Sequence, residues 1–134
     1  NGWRYLESST PDQSNNVQWG CSGTNIPGAS GSGYGDGAQN TQDIVAGCGG
    51  TIAASIANNL NLNGYSDWFL PSRNSLSLMY QNLYQNGLGN FAVDTYWSST
   101  EASSISGYAY NFYSGGVVVN NKVVNYRVRA IRRF

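Results

Sequence analysis

Histidine is absent from this chain of 134 residues, charged residues make up only 10% of it, and cysteine occurs twice. Two cysteines without a histidine cannot assemble the usual zinc sets, which draw on four Cys and His ligands. General acid-base catalysis loses its commonest side chain, and the seven acids are scattered singly rather than paired. Nothing approaches the roughly 18 consecutive apolar residues of a membrane-spanning helix. The Glu-Pro-Asn and Trp-Asn-Asp motifs of calcium-dependent lectins are missing too, and Trp97-Ser98-Ser99 offers no carboxylate in their place. The glycine-rich stretch lacks the Lys-Ser/Thr ending of a phosphate-binding loop. These gaps argue against an enzyme, a resident metal or cofactor, and membrane insertion.

What remains is a chain able to fold. Apolar residues reach 40% and aromatics 13%, and the length suits one domain, taken as 1–134. It opens at Asn1-Gly2-Trp3 with no basic-then-apolar leader, so the expectation is a domain excised from a longer polypeptide whose targeting signal lies upstream. Cys21 and Cys48 lie 27 positions apart among glycines. A disulfide in an oxidising compartment is the favoured reading, with two buried free thiols as the alternative.

Trp3 and Tyr5 read as strand. From Gly20 to Gly37 seven of eighteen residues are glycine and no hydrophobic period survives, which predicts a long surface loop. Ile44, Val45 and Cys48, then Ile52, Ile56 and Leu60, predict two short helices or one broken at Gly49-Gly50. Asn63-Gly64 signals a turn, Asp67 to Pro71 a short buried strand, and Ser72 the cap of a helix carrying Leu76, Met79, Tyr80, Leu83 and Tyr84, stopped by Asn86-Gly87. Strands follow at Tyr96–Thr100 and Tyr108–Phe112. Val117–Val119 and Val123-Val124 flank Asn120-Asn121-Lys122 as a hairpin turn. In the last strand Tyr126, Val128, Ala130 and Phe134 share one face, and Arg127, Arg129 and Arg133 the other. Helices first and an antiparallel sheet last give an α+β plan.

Three ordered motifs, Asn63-Gly-Tyr-Ser-Asp-Trp-Phe-Leu-Pro-Ser72, Tyr96-Trp-Ser-Ser-Thr-Glu101 and Tyr126-Arg-Val-Arg-Ala-Ile-Arg-Arg-Phe134, resemble the Lcl-type C-terminal domain of bacterial collagen-like adhesins, and the likeness covers the whole chain. Ser75 stands where such domains often carry an acid in the first helical turn. The resemblance implies a C-type-lectin-like fold related to the formylglycine-generating-enzyme branch, with short helices packed on the sheet and long loops. It further implies secretion or surface display beyond a trimeric collagen-like stalk, and adhesion to sulfated glycosaminoglycans. The paired cysteines of the formylglycine-generating enzymes lie late in their chain, whereas Cys21 and Cys48 lie early.

Charge is segregated although its formal sum is zero. Lys122, Arg127, Arg129, Arg132 and Arg133 give the last thirteen residues +5 with no acid, against −5 for the rest. Such a patch attracts polyanions, and arginine donates paired hydrogen bonds to a sulfate. The candidate glycosaminoglycan-binding residues are therefore Lys122, Arg127, Arg129, Arg132 and Arg133, with Arg73 as a weaker member; Lys122 is expected as a flexible charge at a hairpin tip. Trp3, Trp19, Tyr34, Tyr108 and Tyr113 offer rings for stacking on sugars, although most tryptophans suit a core better. A competing expectation pairs the arginines with Asp67, Asp94 or Glu101 across the sheet. On that view the domain is a protein-protein interaction or assembly module without glycan binding. The partners read from the sequence are thus sulfated or otherwise polyanionic polysaccharides and further copies of the chain in a homotrimer, with no nucleic acid.

Overall fold

The computed structural model describes residues 5–134; the strand expected at Trp3 lies outside the described residues. The chain runs β1 (Leu6–Ser8), β2 (Ser14–Val17), α1 (Gly37–Gly47), α2 (Ala53–Asn58), α3 (Arg73–Asn82), β3 (Thr95–Glu101), β4 (Ser106–Asn111), β5 (Gly116–Asn121), β6 (Tyr126–Val128) and β7 (Ile131–Arg133). A five-stranded sheet has the order β2-β6-β3-β4-β5, and β1 pairs separately with β7. All pairings are antiparallel except β3 with β6, which is parallel at Tyr96 and Arg127. This is an α+β architecture, as expected.

Strand β3 explains the layering. All seven of its residues are buried, and because successive side chains point to opposite faces, Tyr96 and Trp97 enter different cores. Trp97 joins Trp19, Ile44, Ile52, Trp68, Leu70 and Val128 beside α1 and α2. Tyr96 joins Phe69, Leu76, Met79, Tyr110, Phe112 and Ile131 beneath α3. Buried indoles need acceptors, and Trp19 donates to the Ser98 carbonyl at 2.8 Å while Trp97 donates to that of Val17 at 2.9 Å. No buried side-chain polar atom among the described residues lacks a partner.

Local signals hold where turn chemistry dictates them. The helical region breaks at Gly49-Gly50, and the Ser72 hydroxyl accepts from the Ser75 amide at the start of α3. Past α3 a 3-10 turn over Tyr84–Asn86 ends on Gly87 in the left-handed region. Asn63 and Gly64 both adopt positive φ, 57° and 81°, in a two-residue turn closed by paired hydrogen bonds between Leu62 and Tyr65. The disulfide Cys21–Cys48 is formed, with Cα atoms 5.6 Å apart.

Three expectations are corrected. The hairpin around Val117–Val119 joins β4 to β5 through residues 112–115, not β5 to a strand at Val123-Val124. After a tight turn at Asn121–Val124 the chain passes into β6, which lies between β2 and β3. The terminal strand is interrupted at Arg129-Ala130, so β6 and β7 belong to different sheets, and the single two-faced alternation fails there: Arg129, Ala130 and Ile131 are all buried. Asp67–Pro71 contributes one bridge, Phe69 with Ile131, rather than a strand.

Candidate functional site

The Gly20–Gly37 loop is not confined to the surface. Its Ile26 and Ala29 are buried, and its backbone is fastened to the C-terminal half by the Glu101 carboxylate, which accepts from the Ile26 amide at 2.9 Å. The same carboxylate receives the Lys122 ammonium at 2.7 Å. Lys122 also donates to the Thr24 carbonyl and lies 4.5 Å from the centre of the Trp19 ring. It is fully buried. The expectation of a flexible charge at a hairpin tip is therefore corrected: Lys122 is an internal tie between loop, sheet and Trp19, out of reach of a polysaccharide.

Arg129 is corrected on the same ground. Its five N–H groups make five hydrogen bonds to four acceptor atoms: the Nε and one terminal nitrogen reach the same Asp12 oxygen at 3.0 and 2.7 Å, and the other bonds go to the carbonyls of Ser9, Gly89 and Asn90. A guanidinium has five donors in all, so none is left for a ligand. Phe91 covers its face at 4.1 Å. Asp12 is the hub of this cluster, accepting also from Arg127 and from the Tyr96 hydroxyl. Burial foremost pushes the Tyr96 phenol up, and the hydrogen bond to Asp12 adds to that.

Arg127 and Arg132 are occupied in part. Arg127, half-buried, pairs with Asp94 and Asp12, both at 3.0 Å, and bonds Asn15. Burial is the largest single influence on Asp94 and opposes its ionised form, but the hydrogen bonds from Arg127 and the Thr95 amide, with the Arg127 charge, together outweigh it and hold the carboxyl below the usual range. Arg132 makes a two-pronged bond to Asp67 at 2.8 and 3.2 Å and a third to Glu7 at 3.1 Å, between the rings of Tyr65 and Phe134. Its hydrogen bond holds the Asp67 carboxyl below its ordinary value, with burial working against it. The competing expectation, which concerned the arginines, holds for Arg127 with Asp94 and for Arg132 with Asp67; Glu101 pairs with Lys122 rather than with an arginine, and Arg129 finds Asp12, which it did not name.

Among the described cations, Arg73 and Arg133 have no carboxylate at ion-pair distance. Arg73, at the start of α3, lies with its guanidinium 4.5 Å from the centre of the Tyr108 ring. Arg133, exposed at the end of β7, makes one hydrogen bond, to the Gly35 carbonyl at 3.2 Å. Both residues are tied to one strip of the glycine-rich loop, Arg133 through its guanidinium and Arg73 through its backbone amide. At one end the Thr100 hydroxyl joins the Gly31 carbonyl to the Arg73 amide. Ser72 and Ser75 then hold the carbonyls of Gly33 and Tyr34, and Arg133 that of Gly35. A stretch of five residues spans at most about 18 Å. Tyr34, half exposed, lies within it.

Of the rings offered for sugar stacking, Trp19 is wholly buried, which corrects that expectation, while Tyr34 and Tyr113 are exposed and Tyr108 stands beneath Arg73. Trp3 lies outside the described residues. Sequence reasoning missed Asp12, a lone acid after Pro11 with no motif around it, although it decides the fate of Arg129 and half that of Arg127. It also passed over Gln39, Gln42 and Asn58, which line a polar cavity with Arg133. The signal available for α1 was its amphipathic spacing, which marks its buried face and is silent about the other.

A comparison with curated proteins finds no match. The three motifs, by contrast, sit at positions with defined structural duties: the turn and bridge of residues 62–69, the doubly buried β3, and the β6–β7 segment with its ion pairs. A family model described as the Lcl C-terminal domain matches residues 8–132, and the chain belongs to that family.

Proposed function

We propose that this chain is a non-enzymatic, adhesin-type binding domain that works outside the cell and recognises sulfated glycosaminoglycans or similar acidic polysaccharides. Membership in the Lcl C-terminal domain family, whose members go with extracellular collagen-like proteins, supports the setting, and the formed disulfide suits an oxidising compartment. In the same reading the fold is a C-type-lectin-like variant and the domains are presented as a homotrimer. The observation that carries the ligand is the pair of arginines with no carboxylate at ion-pair distance among the described residues, Arg73 and Arg133. Two contacts make a weak site, and three copies on one stalk would raise avidity on the order of a hundredfold.

The test is heparin binding across a salt series, for the wild type and for an Arg73→Ala, Arg133→Ala double variant. Polyanion binding of this kind weakens as salt rises, through counterion release. The expected result is salt-sensitive binding that falls at least tenfold in the folded variant. Unchanged binding in the variant, or none by the wild type, would overturn the reading.

The outer edge of β5 supports a second reading, an assembly or protein-binding module. The strand Gly116–Asn121 carries no charge and no proline, among the described residues no strand pairs with its outer edge, and Val117 and Val119 are 52% and 55% exposed. Natural edges are usually blunted by such residues. Binding through this edge would tolerate salt and ignore heparin.

A further inference from the structure

A cavity of about 380 Å³ is lined by α1, the end of α2, residues 66–69 and Arg133. Its size falls in the range of small-molecule sites, about 300–1,000 Å³. Part of its lining is apolar, from Ala38, Trp68 and Phe69, and the polar part includes Gln39, Gln42, Asn58, Asp67 and Arg133. Gln42 donates to the Asn58 side-chain oxygen at 2.8 Å, and Gln39 to Asp43 at 3.2 Å. Each bond uses one donor of a group that carries two N–H donors and an acceptor. The remaining donors and acceptors have no protein partner among the described residues.

Vicinal sugar hydroxyls each donate and accept, so a rim of side-chain amides plus a carboxylate is complementary to a pyranose. The charge balance selects further. Asp67 is neutralised by the Arg132 fork, which leaves the Arg133 guanidinium as the uncompensated charge of the lining, with one of its five donors engaged, by Gly35. The remaining donors suit a planar anion through paired hydrogen bonds.

We infer that this cavity is a subsite for one acidic pyranose, its carboxylate or sulfate on Arg133 and its hydroxyls on Gln39, Gln42 and Asn58. The inference rests on the proposed function at Arg133 and adds a place where a single sugar is gripped by its hydroxyls as well as by its charge. That gives the domain selectivity among polyanions which a bare pair of arginines lacks, because a group built to hydrogen-bond a hydroxyl discriminates against analogues without it.

The probes are methyl β-D-glucuronide and the neutral methyl β-D-glucoside, titrated into the isotopically labelled protein while the side-chain amide signals of Gln39, Gln42 and Asn58 are followed by NMR. The glucuronide should move these signals with a Kd on the order of 1 mM and bind about fivefold or more tighter than the glucoside. Arg133→Ala should erase that preference, and Gln42→Ala should weaken both sugars. Side-chain amides that stay silent to the glucuronide at about ten times that concentration, or equal affinity for the two probes, would overturn the subsite. If heparin still binds in a salt-sensitive way, the subsite alone fails; if heparin is also ignored, the proposed function fails with it.

Discussion

Arg129 and Arg133 stand four residues apart at the end of the chain and would be interchangeable in any sum of charges. One is fully buried with all five donors hydrogen-bonded; the other is exposed with one hydrogen bond. The difference comes from what the chain places around them. The β6–β7 break at residues 129–130 tucks Arg129 against Asp12 and the Gly89-Asn90 carbonyls, and the end of β7 leaves Arg133 beside the glycine-rich loop with no carboxylate at ion-pair distance among the described residues. A positive run in sequence is thus divided between cations that hold the fold and cations left over for a ligand.

The division breaks most visibly at Arg129. Arg129→Ala would leave the Asp12 carboxylate short of its main partner, and removal of one member of a buried pair costs about 3–5 kcal/mol. Urea denaturation followed by tryptophan fluorescence should register it; a loss within about 0.5 kcal/mol, the range of ordinary surface changes, would show that Arg129 is not structural. Reduction of Cys21–Cys48 should cost somewhat less, about 3–4 kcal/mol from the 27-residue separation it closes, read as a lower urea midpoint in reductant. A smaller effect is expected with acid. Asp67 and Asp94 have folded-state values below their ordinary ones, so the stability they lend is full above about pH 4 and is lost as pH falls through the lowered folded values. Asp67→Asn should therefore flatten the loss of stability below about pH 4, as followed by thermal melts; a slope unchanged from wild type would remove Asp67 from the account. The least change in stability is expected of Arg73→Ala and Arg133→Ala, each within about 0.5 kcal/mol.

Much of the fold could be read from residues whose effect is local. The glycine break between α1 and α2, the Ser72 cap and the Asn63-Gly64 turn need only their own neighbours to form. The cation cluster could not be read in this way. Whether Lys122 points out from a turn or inward depends on Glu101, 21 positions earlier, and on Trp19, more than 100 positions earlier. Arg129 depends on Asp12, 117 positions away. Strand alternation located the faces of β4 and of the Tyr126–Val128 segment, but a break of two residues inverted the pattern beyond it. Loop burial was invisible for the same reason, since Ile26 and Ala29 look like isolated apolar residues in a glycine-rich stretch until β3 is placed behind them.

The most direct test observes the arginine side chains themselves. The Nε–H signals of labelled protein, titrated with a short heparin fragment at low salt, report which guanidinium groups meet sulfate. Movement is expected at Arg73 and Arg133, little at Arg127 and Arg132, and none at Arg129. Movement centred on Arg127 and Arg132 with Arg73 and Arg133 unmoved would contradict that expectation, because ligand binding would then fall on the cations here assigned to the fold.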